Sequence, residues 1–329
     1  MAGEFARAAR ARFDPFVAAI VATLVLGLVV PVPSGGRAAV DVVADVAVVL
    51  LFLAYGMRLR TAEVIASLRN ARLQGAVLAA TYIAFPVLGL AVSAAAEPAL
   101  GPELSTGLLF VSLLPGTIQS SIALTGVARG NLPAAISAAT LSNVSGMLLT
   151  PVLVLLLMGQ TATPGFGGAR AVLLQLLLPF VVGQALQGWA GPWARRHPVL
   201  MLIVDRGTIL VVVFSGVTAA TAGGVWAAIT LRSLGSLVAA CLGVLAVMFT
   251  ATWWAGRRLR LVAADQVVLL LCGSQKSLAT GLPMAGVLFP AATAATVAVP
   301  VILFHQLQMI LGAVIARRLA RRPSDPPGS

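Results

Sequence analysis

The sequence predicts an all-α polytopic membrane protein, with ten transmembrane helices arranged as two inverted five-helix repeats. Three observations predict it: apolar character along the whole length, arginines gathered in alternate connections, and a matched pair of polar interruptions inside apolar segments. Of 329 residues, 59% are hydrophobic and 10% charged, with a mean hydropathy of +1.00, whereas soluble domains are roughly a quarter charged. A spanning helix takes roughly 20 mostly apolar residues, which leaves room for about ten here and for no soluble domain between them. The net charge of +12 lies in small arginine groups between apolar segments, without a basic face interleaved with aromatics. It reads as a signal of orientation in a lipid bilayer and not as a nucleic-acid surface. Cys241 and Cys272 both fall in apolar segments without metal-type spacing, as small core residues do.

Residues 1–12 form a cytoplasmic N-terminal segment carrying Arg7, Arg10 and Arg12. The apolar run 13–33 is longer than a signal-peptide core and no small-residue cleavage site follows it, so it is expected to remain as the first span. Further spans are expected at 39–57, 73–96, 101–128 and 132–158, completing a first repeat over 13–158. A Gly/Pro/Thr-rich connector over 159–170 leads to the second repeat, 171–316, with spans at 171–189, 209–225, 234–255, 267–289 and 292–316. The tail, 317–329, ends in a Pro-rich stretch expected to be disordered and cytoplasmic.

The arginines test this count. With the N-terminus inside, Arg7, Arg10, Arg12, Arg58, Arg60, Arg69, Arg72, Arg129, Arg195, Arg196, Arg206, Arg257, Arg258, Arg260, Arg317, Arg318, Arg321 and Arg322 are cytoplasmic, and only Arg37, Arg170 and Arg232 are outside. An added or missing span would scramble that bias, so both termini are expected in the cytoplasm and the protein in the inner membrane. Five spans in each half force the halves into opposite orientation.

The halves echo one another where the apolar pattern is interrupted. Span four contains Pro115-Gly-Thr-Ile-Gln-Ser-Ser121 and span nine contains Cys272-Gly-Ser-Gln-Lys-Ser277, each with a Gly, a small hydroxyl residue, a Gln and a Ser at similar spacing. Glycine or proline in mid-membrane frees backbone groups that only protein or a wet cavity can satisfy. Both spans are therefore expected to break, over 101–128 and 267–289. Paired broken helices at the midplane are the sequence pointer to a secondary-transporter site, presenting N–H groups to anions and carbonyls to cations. Thr117, Gln119, Ser120, Ser121, Ser274, Gln275, Ser277 and Thr280 supply neutral oxygen donors there, and span five adds Ser137, Thr140, Ser142 and Asn143. A single serine in such a helix more commonly packs helices together; the paired sets point to a site. Lys276 is the sole lysine of the chain, at a depth where an ionisable group is by default functional.

These motifs carry a resemblance to the bile acid:sodium symporter family, in its SBF-like branch. Its residues are Leu53-Ala-Tyr-Gly-Met-Arg-Leu59, Leu114-Pro-Gly-Thr-Ile-Gln-Ser-Ser121 with Gly130-Asn131, Leu149-Thr-Pro151, Cys272-Gly-Ser-Gln-Lys-Ser277 with Gly281-Leu-Pro283, and His305-Gln306. The resemblance implies a core domain, in which broken spans four and nine cross, and a panel domain of spans one, two, six and seven. The expectation is a secondary transporter, not an enzyme, moving a small organic anion by alternating access as the core rocks against the panel, with the anion preference resting on half-helix N-termini near Thr117 and Ser274 and on the charge of Lys276. The family's sodium ligands fall by position on Ser120, Ser121 and Gln275, while its span-nine Glu falls on Leu271, its span-three Gln on Thr81, and its span-five pair near Ala135 and Ala139, one position or so from Ser137 and Thr140. Lys276 stands where that branch has a neutral residue.

With the carboxylate replaced by leucine and an amine close by, two readings follow. The ammonium stands in for a bound cation and transport is independent of sodium, or the buried amine loses and regains a proton and couples transport to protons; against both stands a permanently protonated lysine with a purely structural role. Sodium or a proton as coupling ion thus stays open, and no tightly bound cofactor is expected. His305, beside Gln306 and Gln308, is a satisfied packing residue or a member of the polar network. Asp205-Arg206 is expected to cap and anchor the start of span seven, and Asp41 and Asp45 to pair with Arg37. The rival class is a membrane sensor or assembly subunit that keeps the fold without transporting.

Overall fold

The computed structural model describes residues 15–30, 32–62, 70–159, 170, 172–224, 226 and 229–321. Arg7, Arg10, Arg12, Arg69, Arg322, most of the 159–170 connector and the Pro-rich end of the tail lie outside the described residues. The described chain is helical, and no strand occurs in it. In order come α1 (Pro15–Val29), α2 (Ser34–Arg58), α3 (Ala71–Ala79), a π-helical turn (Ala80–Ala84), α4 (Phe85–Leu100), α5 (Pro102–Leu113), α6 (Gln119–Val127) and α7 (Leu132–Met158). A second π segment (Val172–Leu177) precedes α8 (Leu178–Ala185), followed by α9 (Gln187–Arg196), α10 (Pro198–Ala222), α11 (Leu231–Arg258), α12 (Ala263–Cys272), α13 (Leu278–Leu288) and α14 (Ala291–Ala320).

Local chemistry sets many of these boundaries. Gly101, at φ +79°, ends α4 in a conformation that a side chain would disfavour, and Pro102 opens α5 where a missing N–H costs nothing. Asn70 and Asn131 cap α3 and α7 through their side-chain oxygens, and Thr230 with Ser233 forms a reciprocal capping box on α11.

Among the described residues six helices are long and apolar enough to cross a membrane: 36–58, 71–100, 132–158, 198–222, 231–258 and 291–320. A seventh crossing is made if the pair 173–185 and 187–196, bent by 96°, counts as one. The remaining apolar helices, 18–29, 102–113, 263–272 and 278–288, are individually short.

The stretch expected as the sixth span is bent, the chain turning sharply after Ala185. Two expectations are corrected. Asp205 does not cap a helix, since α10 already begins at Pro198. It lies within that helix and takes both guanidinium nitrogens of Arg58, at 2.9 and 3.2 Å, in the one ion pair among the described residues. Asp41 accepts a hydrogen bond from Ser215 at 2.6 Å in place of an ion pair with Arg37.

The chain forms two compact units. The first takes residues 1–58, 165–228 and 282–296. Within it α2 and α8 meet backbone to backbone: a Cβ on Gly56 would fall 2.2 Å from the Phe180 carbonyl oxygen, and one on Gly183 2.2 Å from that of Leu53. Only glycine at both positions permits that approach, the small-residue contact on which membrane helices rely without a hydrophobic driving force.

The second unit takes residues 59–164, 229–281 and 297–329. Leu73, Val77, Ala135, Ala138, Val268 and Leu269 pack α3, α7 and α12 together, and Leu124, Val267, Leu271 and Ala316 pack α6 and α14 against α12. At one end of this unit the carboxylate of Asp265 accepts from the amides of Asn70 and Asn131, at 3.0 and 2.8 Å. Those asparagines cap α3 and α7, and Asp265 lies in the first turn of α12. One carboxylate therefore serves the positive ends of three helices, fixing them relative to one another.

Candidate functional site

The site is built inside the second unit, where α5 gives way to α6 and α12 gives way to α13. Pro115 causes the first interruption. It has no N–H to donate and pushes the residue before it out of the helical region, so Leu114 is extended at φ −70°, ψ 154°. The carbonyls at the end of α5 lose their helical partners, and each of the last three finds another. Ser112 and Leu114 accept from the Lys276 ammonium at 2.8 and 2.7 Å, and Leu113 accepts from the Thr150 hydroxyl at 2.8 Å. The groups that follow are also paired. The Pro115 carbonyl takes the Ser277 N–H at 2.9 Å, the Gly116 N–H reaches the Ser142 hydroxyl at 3.0 Å, and the Gly116 carbonyl takes the Asn143 amide at 2.6 Å.

The second interruption, Gly273 to Ser277, contains no proline. It is held from outside by Gln308 of α14, whose Oε1 accepts the Lys276 N–H and whose Nε2 donates to the Lys276 carbonyl, both at 2.7 Å. This side-chain amide thus pairs with the lysine backbone as a neighbouring strand would. His305, one turn earlier on α14, lies with Nδ1 2.9 Å from Gln308 Nε2 and belongs to the network. Ser277 caps α13 by accepting the Thr280 N–H at 3.2 Å, and Thr280 donates to Asn143 at 3.0 Å. Asn143 thereby joins both interruptions to α7. A Cβ on Gly116 would sit 3.2 Å from both the Cys272 carbonyl oxygen and the Ser142 hydroxyl, so the two interrupted segments pass closely here and a side chain would be tight.

Lys276 is 2% exposed. Its ammonium has three donors, and three carbonyls receive them: Thr81 at 2.9 Å, Ser112 at 2.8 Å and Leu114 at 2.7 Å. Thr81 lies in the π-helical turn, a register shift of the kind that places backbone groups at functional sites. The nitrogen also stands 4.1 Å from the centroid of the Phe85 ring, whose face attracts cations. Ser112 and Leu114 sit at the C-terminal end of α5, where the helix dipole favours positive charge. Among the described residues no carboxylate contacts the amine; backbone dipoles and two rings surround it, with the Tyr82 centroid farther off at 6.0 Å.

The other expected residues divide into two groups. Ser120 lies 2.9 Å from the Thr117 hydroxyl and 3.3 Å from Gln275 Oε1, a further link between the two interruptions. Ser121 and Ser274 instead return their hydroxyls to carbonyls of their own segments, Thr117 and Leu270. Gln119 is exposed at the start of α6, whose N-terminus has no side-chain cap. Ser137 and Thr140 are half-buried on α7, and no hydrogen bond among the described residues ties them to either interruption. The second helix start lies at Leu278, so Ser274 belongs to the end of α12 and not to an N-terminus that could face an anion.

A sodium ion fits this donor set poorly. Thr81 commits its carbonyl to Lys276 and its hydroxyl to Val77 at 2.9 Å. Leu271, in the place of the family's carboxylate, is fully buried among Leu124, Ala128, Val267 and Ala316. Gln275, with no exposure, keeps one amide nitrogen without a partner among the described residues, facing Gly312. The oxygens that remain are neutral, and a fixed cation already takes the freed carbonyls.

Gln308, Phe85 and the carbonyls of Thr81, Ser112 and Leu114 escape a reading of side-chain motifs. The one available signal was the glutamine's place in a polar run with His305 and Gln306.

Long apolar helices, with a buried charge held between interrupted segments, mark a multi-pass membrane protein. Residues 14–321 match the SBF-like CPA transporter family, and the chain belongs to it. Among its relatives are the Pseudomonas aeruginosa protein PA2026, 40% identical over 96% of each chain, whose name states no activity, and Escherichia coli YfeH, named as a proposed symporter, 34% identical over 94% of this chain and 93% of that one. The Danio rerio protein named sodium/bile acid cotransporter 7 is 25% identical over 93% of this chain and 94% of its own.

Proposed function

We propose that the chain is a secondary transporter of the inner membrane that moves a small organic anion by alternating access, independently of sodium, with the Lys276 ammonium as a tethered substitute for a coupling cation. The observation that carries this reading is the coordination of the amine by three backbone carbonyls and an aromatic face without any carboxylate. Such a shell suits a bound monovalent cation, and here the cation is part of the protein. The sodium in the name of the vertebrate relative is not carried over in this reading, because the positions that would hold it here are Leu271, Thr81, Ser121 with its hydroxyl turned to its own backbone, and Ser120 and Gln275 paired with one another.

An organic anion is supported by the uncapped N-terminus of α6 beside exposed Gln119, by Thr117 and Ser120, and by the fixed charge behind them. The bile acid in the relative's name is itself of that class. Counting each interrupted pair, 102–113 with 119–127 and 263–272 with 278–288, as one span, and adding α1 and the bent pair to the six long helices, supports ten spans in two inverted halves with both termini in the cytoplasm.

The test is uptake of organic anions into proteoliposomes, with sodium and pH varied independently, for the wild type and Lys276→Ala. The expected result is wild-type flux that is unchanged when sodium is removed, and its loss in the variant. Sodium-dependent flux would defeat the tethered cation; flux that follows an imposed proton gradient would assign the coupling to protons; ligand binding without flux would make the protein a sensor.

A further inference from the structure

The cleft between the ends of α11, α12 and α14 plays no part in the site around Lys276. It measures about 310 Å³ and is walled by Phe249 and Trp253 of α11, Leu270 of α12, and Ile315 and Leu319 of α14, with Arg318 beside them. Phe249, Trp253 and Arg257 recur at every fourth residue of α11, so Arg257 stands one turn beyond Trp253 on the same face of that helix. Next to it, the Arg258 guanidinium lies 4.6 Å from the centroid of the Trp254 ring, and that tryptophan is 58% exposed. Adjacent tryptophans in the final turns of an apolar helix, with arginines three residues further on, mark the level where hydrocarbon gives way to headgroups.

We propose that this cleft binds one anionic phospholipid, with an acyl chain along the wall of Phe249, Trp253 and Ile315 and the phosphate held by Arg318 and Arg257. Charge selects this occupant. Arg257, Arg258 and Arg260 follow one wall and Arg317, Arg318 and Arg321 the other, while neither 249–260 nor 311–321 contains an acidic residue. Asp265, at the start of α12, is engaged by Asn70 and Asn131. A guanidinium binds phosphate through two parallel N–H groups, which adds geometry to charge. A zwitterionic lipid would bring its own ammonium into this arginine field, and a soluble anion would leave the aromatic wall uncovered.

Native mass spectrometry of the purified protein, titrated with phosphatidylglycerol or phosphatidylcholine of identical chains, tests the site. Phosphatidylglycerol is expected to bind more tightly, and to weaken about fivefold for each arginine removed in Arg257→Gln, Arg318→Gln and the double variant. Arg232→Gln, an exposed change at the opposite end of α11, is expected to leave it unaltered. Both arginines are exposed, so these variants are expected to fold. Trp253→Ala is expected to weaken both lipids, because it strips the chain's seat. Equal binding of the two lipids, an undiminished double variant, an Arg232→Gln loss as large as that of Arg318→Gln, or displacement of the lipid by glycerol phosphate would each overturn the proposal.

Discussion

The two interruptions look alike in sequence and are made in different ways. In the first, the break is local: Pro115 removes a donor and sets Leu114 extended, and the partners of the freed groups follow from where α7 and Lys276 already stand. In the second, no residue forbids a continuous helix. Gly273 remains near the helical region, at φ −83° and ψ −13°, and the chain leaves the helix because Gln308 engages both backbone groups of Lys276 while its side chain is drawn to three carbonyls. One break is written in its own residues. The other exists through contacts with α4, α5 and α14 and the turn before α4, which makes it the segment whose conformation can respond when those contacts change.

If that contrast holds, the largest effect comes from Lys276→Met. The substitution removes a costly buried charge, yet the carbonyls of Thr81, Ser112 and Leu114 remain and lose their donor, and buried acceptors left dry outweigh the relief. A loss of about 3–5 kcal/mol of stability is expected, read as reversible unfolding in mixed micelles. A variant as stable as the wild type would mean that water replaces the ammonium and that the amine does not hold the break.

Gln308→Leu ranks next, at about 2–3 kcal/mol, because it strands one N–H and one carbonyl in a fully buried place. It also separates the two breaks. Hydrogen exchange should rise at 274–277 and stay near wild type at Gly116, whose partners are Ser142 and Asn143. Equal loosening of both would show a single cooperative unit, and the distinction drawn between them would fail.

What could be read in the sequence follows the same divide. Breaks are legible where covalent structure causes them, as with Pro115, and a lone lysine among arginines announces itself. The helical class and the long apolar segments come directly from hydropathy, since a membrane leaves the backbone little choice. The receivers of the ammonium were illegible because they are carbonyls, which every residue has; only the folded path brings Thr81, Ser112 and Leu114 together. Gln308 lies 32 residues from Lys276, and its spacing on α14 is that of any packed polar residue. The turn after Ala185 likewise has no proline at the bend. That Ser142 and Asn143 of span five reach the interruptions while Ser137 and Thr140 do not depends on the rotation of α7, which weak periodicity in a helix apolar on most sides does not fix.

Pro115→Ala should have a smaller effect than its place in the motif suggests, about 1 kcal/mol. The alanine restores an N–H and allows Leu114 to become helical, but a helix running through would take the carbonyls of Ser112 and Leu114 from Lys276. The network should win, leaving the break in place with one new N–H to satisfy. Hydrogen exchange at 114–118 near that of the wild type is the expected reading; strong protection there would show that proline alone maintains the break.

The smallest change isolates a single side-chain bond. Thr150→Val keeps the shape of α7 and deletes the hydroxyl that reaches the Leu113 carbonyl at 2.8 Å. Side-chain hydrogen bonds within membrane proteins average about 0.6 kcal/mol, because the unfolded chain in the membrane also finds partners. A loss of that size is expected, with transport retained, since Leu113 lies between the two carbonyls that hold the ammonium without touching it. A loss above about 2 kcal/mol would mean that displacing Leu113 disturbs Ser112 and Leu114 as well, so that the three consecutive carbonyls at the end of α5 act as one rigid receptor for Lys276.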